Sequence, residues 1–428
     1  MRRILLVFSI MLCHGASTLS AQAVLPIQAR LNEVCALING HLDSLESVFS
    51  DEFLAKVPPA ALKAGVAGIA ALSGRCMSIR VIPTQGAYSV TAEALTDSNY
   101  TIPVHMTLAG SAPHKITGLF LRTPQKQQSS LQEAVAALGR IGGTTSVCVQ
   151  NLTSGTVLAA KDTGIALPIG SAFKLYVLGT LAHQIRHQRK RWTDIITLQS
   201  MYMSEPSGFL QTWPVGSPLT LYSVAALMIS SSDNTATDHL LFSLGRDSVM
   251  KFQTVMGNRH AALNNPFLST REAFKLKYTR NGERGRLYAG ASTANRFTIL
   301  DSISASTDTI HFAYEPVMPD SVEWFAGTAD LCRAMAWLHS VSTAPDLSPI
   351  ADILSINPGL DLTKGAWKYS GFKGGSEPGV INLTLLLQRS DDQWFTVSAT
   401  MVNPREEATT QFTIAVSSII STLEASKK

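Results

Sequence analysis

The sequence predicts a small α+β domain followed by a larger domain in which helices are inserted into one antiparallel sheet. Between residues 24 and 125 helical patterns come first and strand-like patterns follow, whereas from 126 to 428 strand-like patterns stand at both ends. A length of 428 residues fits two hydrophobic cores better than one. A composition of 45% hydrophobic and 15% charged residues argues against extensive disorder.

The first domain begins with helical periodicity over "ARLNEVCALINGHLDSLESVFSDEFLAKVPPAALKAGVAGIAAL", which is interrupted at Pro58-Pro59. Four runs that favour strands follow, and helices before an antiparallel meander are typical of a small α+β domain. The polar stretch "TPQKQQSS" (123–130) predicts a linker, so we place this domain at 24–125. The four runs are "CMSIRVIPTQ", "YSVTAEAL", "YTIPVHMTL" and "HKITGLFLR".

The second domain, 126–428, starts with the helical pattern "LQEAVAALGRI" and a hairpin pattern around "NLTSG". Helical patterns then continue to about residue 340, and a second hairpin pattern surrounds "RSDDQ". A terminal helix, "TTQFTIAVSSIISTLEA", closes the chain. Strands at both ends with helices between them predict one antiparallel sheet with a helical subdomain inserted into it.

The N-terminus predicts a cleaved export signal over residues 1–23. A basic "MRR" precedes the apolar "ILLVFSIMLC", and "AQA" offers a small-residue cleavage site, so that Val24 begins the mature chain. The alternative is an uncleaved membrane anchor, but the apolar run falls short of the roughly 20 residues that span a bilayer. We therefore expect a secreted or periplasmic protein with no membrane span in the mature chain.

The charge balance gives no support for a nucleic-acid partner. Removal of Arg2 and Arg3 with the signal lowers the formal net charge from +4 to +2. So small an excess is too weak to indicate binding to nucleic acid or to an anionic membrane.

Four cysteines remain once Cys13 leaves with the signal. Cys35 and Cys76 lie in the first domain, and an exported chain can keep disulfides. From the sequence these two cysteines could either form a disulfide or remain free thiols. Cys148 and Cys332 lie in apolar patterns, which favour buried free thiols. The spacings fit no metal site, and we predict no metal and no cofactor.

Ser171 and Lys174 stand three residues apart in "LPIGSAFKLYVLG", at the start of a helical pattern. A serine hydroxyl becomes a nucleophile when a base takes its proton, and a lysine can be that base if its pKa is lowered. Spacing of three residues places both side chains on one helix face. Taken alone, the pattern favours an ordinary helix with a serine cap and a surface lysine.

Two further motifs follow in order along the chain. Ser232-Asp233-Asn234 lies in a break between two helical patterns, and "YSGFKGGSEPGVINLTLLL" places Lys373-Gly374-Gly375-Ser376 at the start of a strand. The order S-x-x-K, S-D-N and K-T-G is the catalytic set of class A β-lactamases and penicillin-binding proteins. From about residue 130 onward the chain resembles the class A β-lactamase-like serine hydrolases.

The resemblance implies a fold and an activity. The fold would be an α/β sandwich of β-lactamase/transpeptidase type, with a five-stranded antiparallel sheet, flanking helices and an all-α subdomain. The chain is most similar to the subgroup with an extra N-terminal domain, which includes the β-lactamase-like protein of the clavulanic-acid cluster. That extra domain would be a small α+β domain of cystatin/NTF2-like type, with a packing or recruitment role.

The resemblance also assigns catalytic roles to four residues. Ser171 would be the acylated nucleophile, and Lys174 would accept or relay its proton. Ser232 would pass a proton to the leaving group. Lys373 would hold a substrate carboxylate and keep the local field positive. Asp233 between these groups is interpreted as structural.

Substrate binding is assigned in the same way. Asn234 would hydrogen-bond the substrate and Lys174. The oxyanion hole would consist of the backbone N–H groups of Ser171 and of Gly375 or Ser376. Arg405 follows the last strand, near where such folds can place a substrate-binding arginine.

Two departures from the family pattern affect the chemistry. Gly374 offers no hydroxyl where the family usually has one, and Ser376 is the candidate that replaces it in part. The glutamate of the E-x-x-L-N pattern, which activates water for deacylation, is absent. Glu272 is the nearest acid, although "STRE" from Ser269 to Glu272 also predicts a helix capping box.

The sequence therefore favours an exported serine hydrolase that acts through a Ser171 acyl-enzyme on β-lactam-like amide or ester substrates. An esterase or D,D-peptidase-like enzyme with weak β-lactamase activity is the alternative in the same chemistry. A catalytically impaired protein that binds a ligand or partner is the alternative of another class. The expected partner is a small-molecule β-lactam, peptide or ester substrate.

Overall fold

The computed structural model describes two compact units, which divide between Gln127 and Gln128. Residues 1–20, and with them most of the predicted export signal, lie outside the described part of the chain. No described helix is both long enough and apolar enough to cross a membrane. The described residues are 21–82, 88–126, 130–304, 306, 308–313, 315–360, 362–363, 365–403 and 405–426.

The first unit has the predicted order of helices before strands. Its strands form an antiparallel meander in the order β1-β2-β3-β4, and β5 pairs with the start of β3. β5 lies inside the stretch predicted as a linker, because its backbone completes hydrogen bonds that β3 leaves open. The elements are α1 (Ala21–Ile38), α2 (Asp51–Lys56), α3 (Pro59–Ser73), β1 (Cys76–Ile82), β2 (Ser89–Thr96), β3 (Tyr100–Leu108), β4 (Ile116–Leu121) and β5 (Gln125–Lys126).

Helix α1 is fixed to this sheet by apolar packing and by a disulfide. Leu31 and Val34 of α1 are fully buried in one cluster with Ala92 of β2 and Val104 of β3. β2 alternates buried and partly exposed residues, which is the two-residue period of a sheet with one covered face. Cys35 on α1 and Cys76 on β1 form a disulfide with a Cα–Cα distance of 5.5 Å, which resolves the alternative left open by the sequence.

The second unit is built on one antiparallel sheet in the order β12-β13-β14-β6-β7. The strand pair β6–β7 from the start of the unit adjoins β14 from its end, as predicted. α4 and α14 cover one face of the sheet, where Leu138 and Phe412 are fully buried beside Val147. On the other face α12 places Cys332 Sγ 3.5 Å from Cys148 O, and both cysteines are buried free thiols, as predicted.

Helices and short strands occupy the chain between β7 and β12, and together they form the helical part of the unit. The short 3-10 helix Gly170–Phe173 precedes α5. The elements of the whole unit are α4 (Leu131–Gly139), β6 (Thr144–Asn151), β7 (Thr156–Lys161), β8 (Leu167–Pro168), α5 (Lys174–Arg186), β9 (Ile195–Thr197), β10 (Pro218–Thr220), α6 (Leu221–Ser230), α7 (Asn234–Leu244), α8 (Arg246–Val255), α9 (Thr270–Tyr278), α10 (Glu283–Gly290), α11 (Thr293–Ser304), β11 (Phe325–Ala326), α12 (Thr328–Ser342), α13 (Pro349–Ser355), β12 (Trp367–Glu377), β13 (Val380–Arg389), β14 (Trp394–Val402) and α14 (Glu406–Ala425).

One local prediction is wrong. Lys373 was expected at the start of a strand, but β12 already begins at Trp367 and ends at Glu377. Among the described strands β12 pairs with β13 alone, so it is an edge strand, and most of its residues are only partly buried. Polar and glycine residues are therefore tolerated along it, and the sequence carries little strand signal there.

Replacement of Cys35 and Cys76 by serine is expected to destabilise the protein by about 4 kcal/mol, because the disulfide closes a long loop and restricts the unfolded chain. The two cysteines are 41 residues apart in the sequence. Denaturant unfolding of the double variant and of the oxidised wild type measures the difference. A Cys332→Ala variant under reducing and oxidising conditions is the control, and equal stability of the double variant and the oxidised wild type would contradict the prediction.

Candidate active site

Ser171 and Lys174 do not form the capped helix with a surface lysine that the sequence left open. Ser171 lies within the 3-10 helix Gly170–Phe173, and no side chain caps that turn or α5. Lys174 is the first residue of α5 and its relative exposure is 0%. A buried lysine at this place needs polar partners, and those partners come from other parts of the chain.

Lys174 is held by the S-D-N turn. Its Nζ lies 2.6 Å from Ser232 O, 3.1 Å from Ser232 Oγ and 2.8 Å from Asn234 Oδ1. Lys373 approaches the same hydroxyl from β12, with Nζ 3.1 Å from Ser232 Oγ and 2.6 Å from Gly374 O. Ser232 Oγ thus bridges two lysine side chains that are distant in sequence.

Burial changes the protonation of both lysines. The pKa of Lys174 lies well below its ordinary value, first because the side chain is removed from water and second because of the charge on Lys373. Asp233 and Asp238 oppose this effect. Burial also lowers the pKa of Lys373 to about 7. Two ammonium groups this close repel one another, so the neutral member of the pair is Lys174.

The hydrogen bonds at Lys174 are compatible with a neutral amine. An ammonium group has three donors, whereas a neutral amine has two donors and one lone pair. The two donors serve Ser232 O and Asn234 Oδ1, and the hydroxyl of Ser232 can donate to the lone pair. Lys373, when charged, then donates to Ser232 Oγ. The chain Lys373–Ser232–Lys174 can therefore carry a proton.

The backbone at Ser232 is held in a strained conformation by its neighbour. Ser232 has φ 55°, a left-handed conformation that costs a non-glycine residue about 1–3 kcal/mol. Asp233 caps α7 by accepting from Ala236 N at 2.8 Å. Its other oxygen accepts from Phe209 N and Leu210 N at 2.8 and 2.9 Å. Asp233 thus has the structural role predicted for it.

Strand β12 lies directly against the turn that carries Ser171. A Cβ on Gly375 would lie 2.1 Å from Ile169 O and 2.6 Å from Ser171 N, so only glycine fits there. Gly170 has φ 47°, and a Cβ on it would lie 3.1 Å from Ser376 N. The backbone nitrogens of Ser171 and Ser376 therefore lie at the same junction of turn and strand, where the oxyanion hole is predicted.

A cavity of about 770 Å³ opens above this junction. Lys174 lies behind its polar wall. Among the described residues, no three His, Cys, Asp or Glu side chains are grouped so that they could hold a metal ion. The polar wall contains Ser171, Ser232, Asn234, Lys373, Gly375 and Ser376, and the aromatic wall contains Phe173, Phe274, Tyr278, Phe312, Trp324 and Phe372.

Close packing explains why the third motif has glycine at position 374. A Cβ on Gly374 would lie 2.6 Å from the Phe372 ring and 3.1 Å from Asn382 O, so a larger residue would have to displace that ring. Ser376 lines the cavity and is exposed. Its hydroxyl is available on the same strand, two residues further along.

Glu272 does not lie on the cavity wall. Both of its carboxylate oxygens accept from Arg246, at 2.7 and 2.8 Å, and Ser269 N donates to it at 2.8 Å. The capping box at the start of α9 is confirmed. These contacts give Glu272 a structural role at the start of α9, and they give no support for its predicted role as a deacylation base.

Arg405 is also placed away from the cavity. Its guanidinium donates to Ile141 O at 2.8 Å, and it lies beside Gly142. The residue follows β14 as expected, but its side chain extends toward the loop between α4 and β6. The structure therefore gives no support for a substrate-binding role of Arg405.

One carboxyl group on the cavity wall, that of Glu377, was not predicted from the sequence. It directly follows Ser376 and contacts Lys277, which also contacts Glu323. Its position directly after the third motif was the one sequence feature that could have indicated a place on the cavity wall. Lys277 and Glu323 stand 100 and 54 residues before it, and only the fold brings them together.

Replacement of Glu272 by glutamine is expected to lower the free energy of unfolding by about 3 kcal/mol, because Arg246 then keeps a buried charge without its partner. The ion pair is largely buried, with side-chain exposures of 16% and 5%. Denaturant unfolding measures this loss, and deacylation per folded molecule is expected to stay at the wild-type rate. A specific loss of deacylation with intact stability would restore Glu272 as a candidate base.

Comparisons with known proteins support the fold of the second unit. Residues 128–299 match the model of the beta-lactamase enzyme family. A β-lactamase from Sphaerobacter thermophilus is 20% identical, with a TM-score of 0.51 over 69% of this chain and 97% of that one. A variant of the class A β-lactamase of the last common ancestor of Gram-negative bacteria is 17% identical, with a TM-score of 0.50 over 70% of this chain and 100% of that one. No curated protein matches the chain significantly. The second unit therefore has a fold of the class A β-lactamase type, and residues 128–299 are similar to the beta-lactamase enzyme family.

Proposed function

We propose that the second unit is a serine hydrolase that forms an acyl-enzyme on Ser171 with β-lactam-like amide or ester substrates. The single observation that carries the proposal is the position of Ser232 Oγ, 3.1 Å from Nζ of both Lys174 and Lys373. Ser171 lines the same cavity. Burying two lysines around one hydroxyl is costly for stability, and such sites are typical of catalysis.

In the proposed reaction Ser171 Oγ attacks the carbonyl carbon of the bound substrate while its proton passes to the neutral amine of Lys174. The N–H groups of Ser171 and Ser376 are the expected donors to the oxygen on which negative charge develops. The bond to the leaving nitrogen or oxygen then breaks. The leaving atom takes a proton through Ser232, and the acyl group remains on Ser171 as an ester.

Deacylation is the step for which the cavity offers the least support. Glu377 is the one carboxyl among the described cavity-lining residues, and it is engaged by Lys277. Glu272 is held by Arg246 away from the cavity. We therefore propose slow hydrolysis of the acyl-enzyme, which favours an esterase or D,D-peptidase-like enzyme with weak β-lactamase activity.

A catalytically impaired binding protein is the less favoured alternative. A protein that only binds a ligand has no use for a buried lysine with a strongly lowered pKa beside a serine hydroxyl. The broad aromatic wall of the cavity supports a small-molecule substrate with an apolar portion.

We also propose that the chain is exported and that it acts in the periplasm or outside the cell. The basic and apolar pattern at the N-terminus supports export, and so does the Cys35–Cys76 disulfide. For the first unit we propose a packing or recruitment role.

Incubation of the wild type with penicillin, a cephalosporin and an activated ester is expected to give a covalent adduct of long lifetime. The groups needed for acylation are present, whereas the one carboxyl among the described cavity-lining residues, Glu377, is engaged by Lys277. Intact-protein mass spectrometry measures the adduct and its decay. The adduct is expected to vanish in Ser171→Ala, and Ser207→Ala, another serine of the cavity wall, is the matched control. Absence of any adduct and of any turnover in the wild type would favour the binding protein.

Acylation by a substrate with a carboxylate is expected to have a bell-shaped pH profile. The rate rises as Lys174 loses its proton, at a pH well below the ordinary lysine value, since only the neutral amine accepts a proton. The rate falls as pH passes about 7, since Lys373 then loses the charge that attracts the carboxylate. Stopped-flow or mass-spectrometric rates measure both limbs.

An uncharged ester with the same leaving group is the control for this profile, because it has no carboxylate for Lys373 to attract. It is expected to lack most of the fall above pH 7. Identical profiles for the two substrates would exclude the assigned role of Lys373.

A further inference from the structure

Lys277 on α9 is a buried lysine that contacts two glutamates from different segments, Glu323 and Glu377. The side chains of Lys277 and Glu323 have 0% exposure, and that of Glu377 keeps 10%. Glu323 lies just before β11, and Glu377 is the last residue of β12. This group, Lys277–Glu323–Glu377, therefore joins three segments that are distant in the sequence.

The Glu323 side of the group leads to the turn that carries Ser171. Trp324 directly follows Glu323, and its carbonyl oxygen accepts a hydrogen bond from Ile169 N at 3.0 Å. The ring of Trp324 also stacks on that of Phe173, with 3.8 Å between the ring centroids. Because Ile169 and Phe173 lie on either side of Ser171 in the sequence, these two contacts hold the turn both before and after the serine.

The Glu377 side of the group leads to Ser376, whose N–H is the other expected donor of the oxyanion hole. Glu377 directly follows Ser376 on β12. Among the described strands β12 pairs with β13 alone, so sheet hydrogen bonds hold its end from one side. The contact between Glu377 and Lys277 connects this end of the strand to α9 as well.

The charges and hydrogen bonds of the group favour a stiff arrangement. Burial lowers the pKa of Lys277, but the two glutamates outweigh it and raise that pKa above its ordinary value. Burial and the charge of Glu323 raise the pKa of Glu377 well above its ordinary value, and the two carboxyl groups share a hydrogen bond. One ammonium, one carboxylate and one carboxylic acid make a neutral group in which each member contacts the other two. A buried polar network that is fully satisfied in this way is rigid.

We propose that Lys277 is a positioning residue of the oxyanion hole. By holding the segments of Glu323 and Glu377 together, it sets the spacing between the two N–H groups that are expected to stabilise the developing negative charge. The inference rests on the proposed function and assigns a further residue to it. Lys277 does not occur among the described residues that line the cavity, so it acts through its two partners.

Stabilisation of an oxyanion depends strongly on this spacing. The donors act when they lie about 2.7–3.1 Å from the oxygen on which charge develops, and a misplacement of about 1 Å can cost roughly 100-fold in rate. The charge on that oxygen develops in the transition state, whereas the bound substrate depends much less on the two donors. Loss of the Lys277–Glu323–Glu377 group is therefore expected to slow acylation of Ser171 and to leave substrate binding almost unchanged.

The variant that tests the proposal combines Lys277→Met with Glu323→Gln. The double variant lacks the ammonium and one carboxyl group, and burial keeps the remaining Glu377 protonated, so no unpaired charge is left inside the protein. Lys275→Met is the matched control, because Lys275 is also a buried lysine of α9. Its amine donates to backbone carbonyl groups at the end of α11 and just after it, outside the Lys277–Glu323–Glu377 group.

The positions of the two N–H groups are tested first, without any use of activity. Proton–nitrogen NMR follows the amide signals of Ser171 and Ser376, which are assigned with Ser171→Ala and Ser376→Ala. Both signals are expected to shift or broaden in the double variant and to keep their wild-type positions in Lys275→Met. An unchanged Ser171 signal in the double variant would overturn the proposal, and so would equal changes in Lys275→Met.

Acylation is then measured with the activated ester over a range of concentrations, so that the maximal rate and the half-saturating concentration are obtained separately. In the double variant the maximal rate is expected to fall roughly 10- to 100-fold, with little change in the half-saturating concentration. Lys275→Met is expected to keep both wild-type values per folded molecule, and denaturant unfolding gives the folded fraction. A higher half-saturating concentration at an unchanged maximal rate would overturn the proposal.

The acyl-enzyme also provides a spectroscopic test. Infrared spectroscopy with a carbon-13 label in the acyl carbonyl reports the hydrogen bonds to its oxygen, because each donor lowers the stretching frequency. The frequency is expected to be higher in the double variant than in the wild type, and to be unchanged in Lys275→Met. A loss of stability alone would not alter this frequency, so an equal frequency in the double variant and the wild type would overturn the proposal.

These measurements separate the two proposals. If the wild type forms no acyl-enzyme with the ester, the proposed function fails, and the NMR signals alone decide whether Lys277 places the two N–H groups. If Ser171 is acylated equally fast in the wild type and in the double variant, the proposed function stands and Lys277 has no positioning role.

Discussion

The burial of Lys174 is the constraint on which the site depends. An amine with no exposed surface must find acceptors inside the protein, and it finds them in Ser232 O and Asn234 Oδ1. That requirement fixes the turn between α6 and α7 and holds Ser232 in a left-handed conformation. Asp233 secures the turn from its other side through α7 and two backbone N–H groups. The strain and the buried amine are stabilised by surroundings packed closely enough to keep water out.

The second constraint is the contact between the edge strand β12 and the turn that carries Ser171. The absence of a Cβ at Gly375 lets the strand approach this turn, and the approach brings Lys373 within 3.1 Å of Ser232 Oγ. The site therefore needs both structural parts of the unit, because the helical part supplies Lys174 and Ser232 while the sheet supplies Lys373. Folding of the two parts against each other buries both lysine side chains beside one hydroxyl, and this burial lowers their pKa values.

Three carboxyl groups near the cavity differ in their partners and burial, although their intrinsic chemistry is the same. Glu272 is paired with Arg246 and caps α9, so it has a structural role. Asp238 accepts from Thr270 and the backbone at the same helix start, and burial raises its pKa to about 6. Glu377 shares a lysine with a second carboxylate and faces the cavity. Burial and partners, rather than residue type, decide which carboxyl group could act on a substrate.

The order of helices and strands in both units was predictable, because hydrophobic periodicity and turn residues are local properties of the chain. The three motifs were also visible in the sequence, since each is continuous and carries its own local signal. The extent of β12 was not predictable, because an edge strand lacks the apolar pattern of an enclosed strand. The positions of Glu272 and Arg405 outside the cavity, and the grouping of Lys277, Glu323 and Glu377, depend on contacts across up to 264 residues. By itself the sequence determined which groups could react, whereas only the tertiary structure decided which of them share the cavity, because burial and charge pairing arise when distant segments pack together.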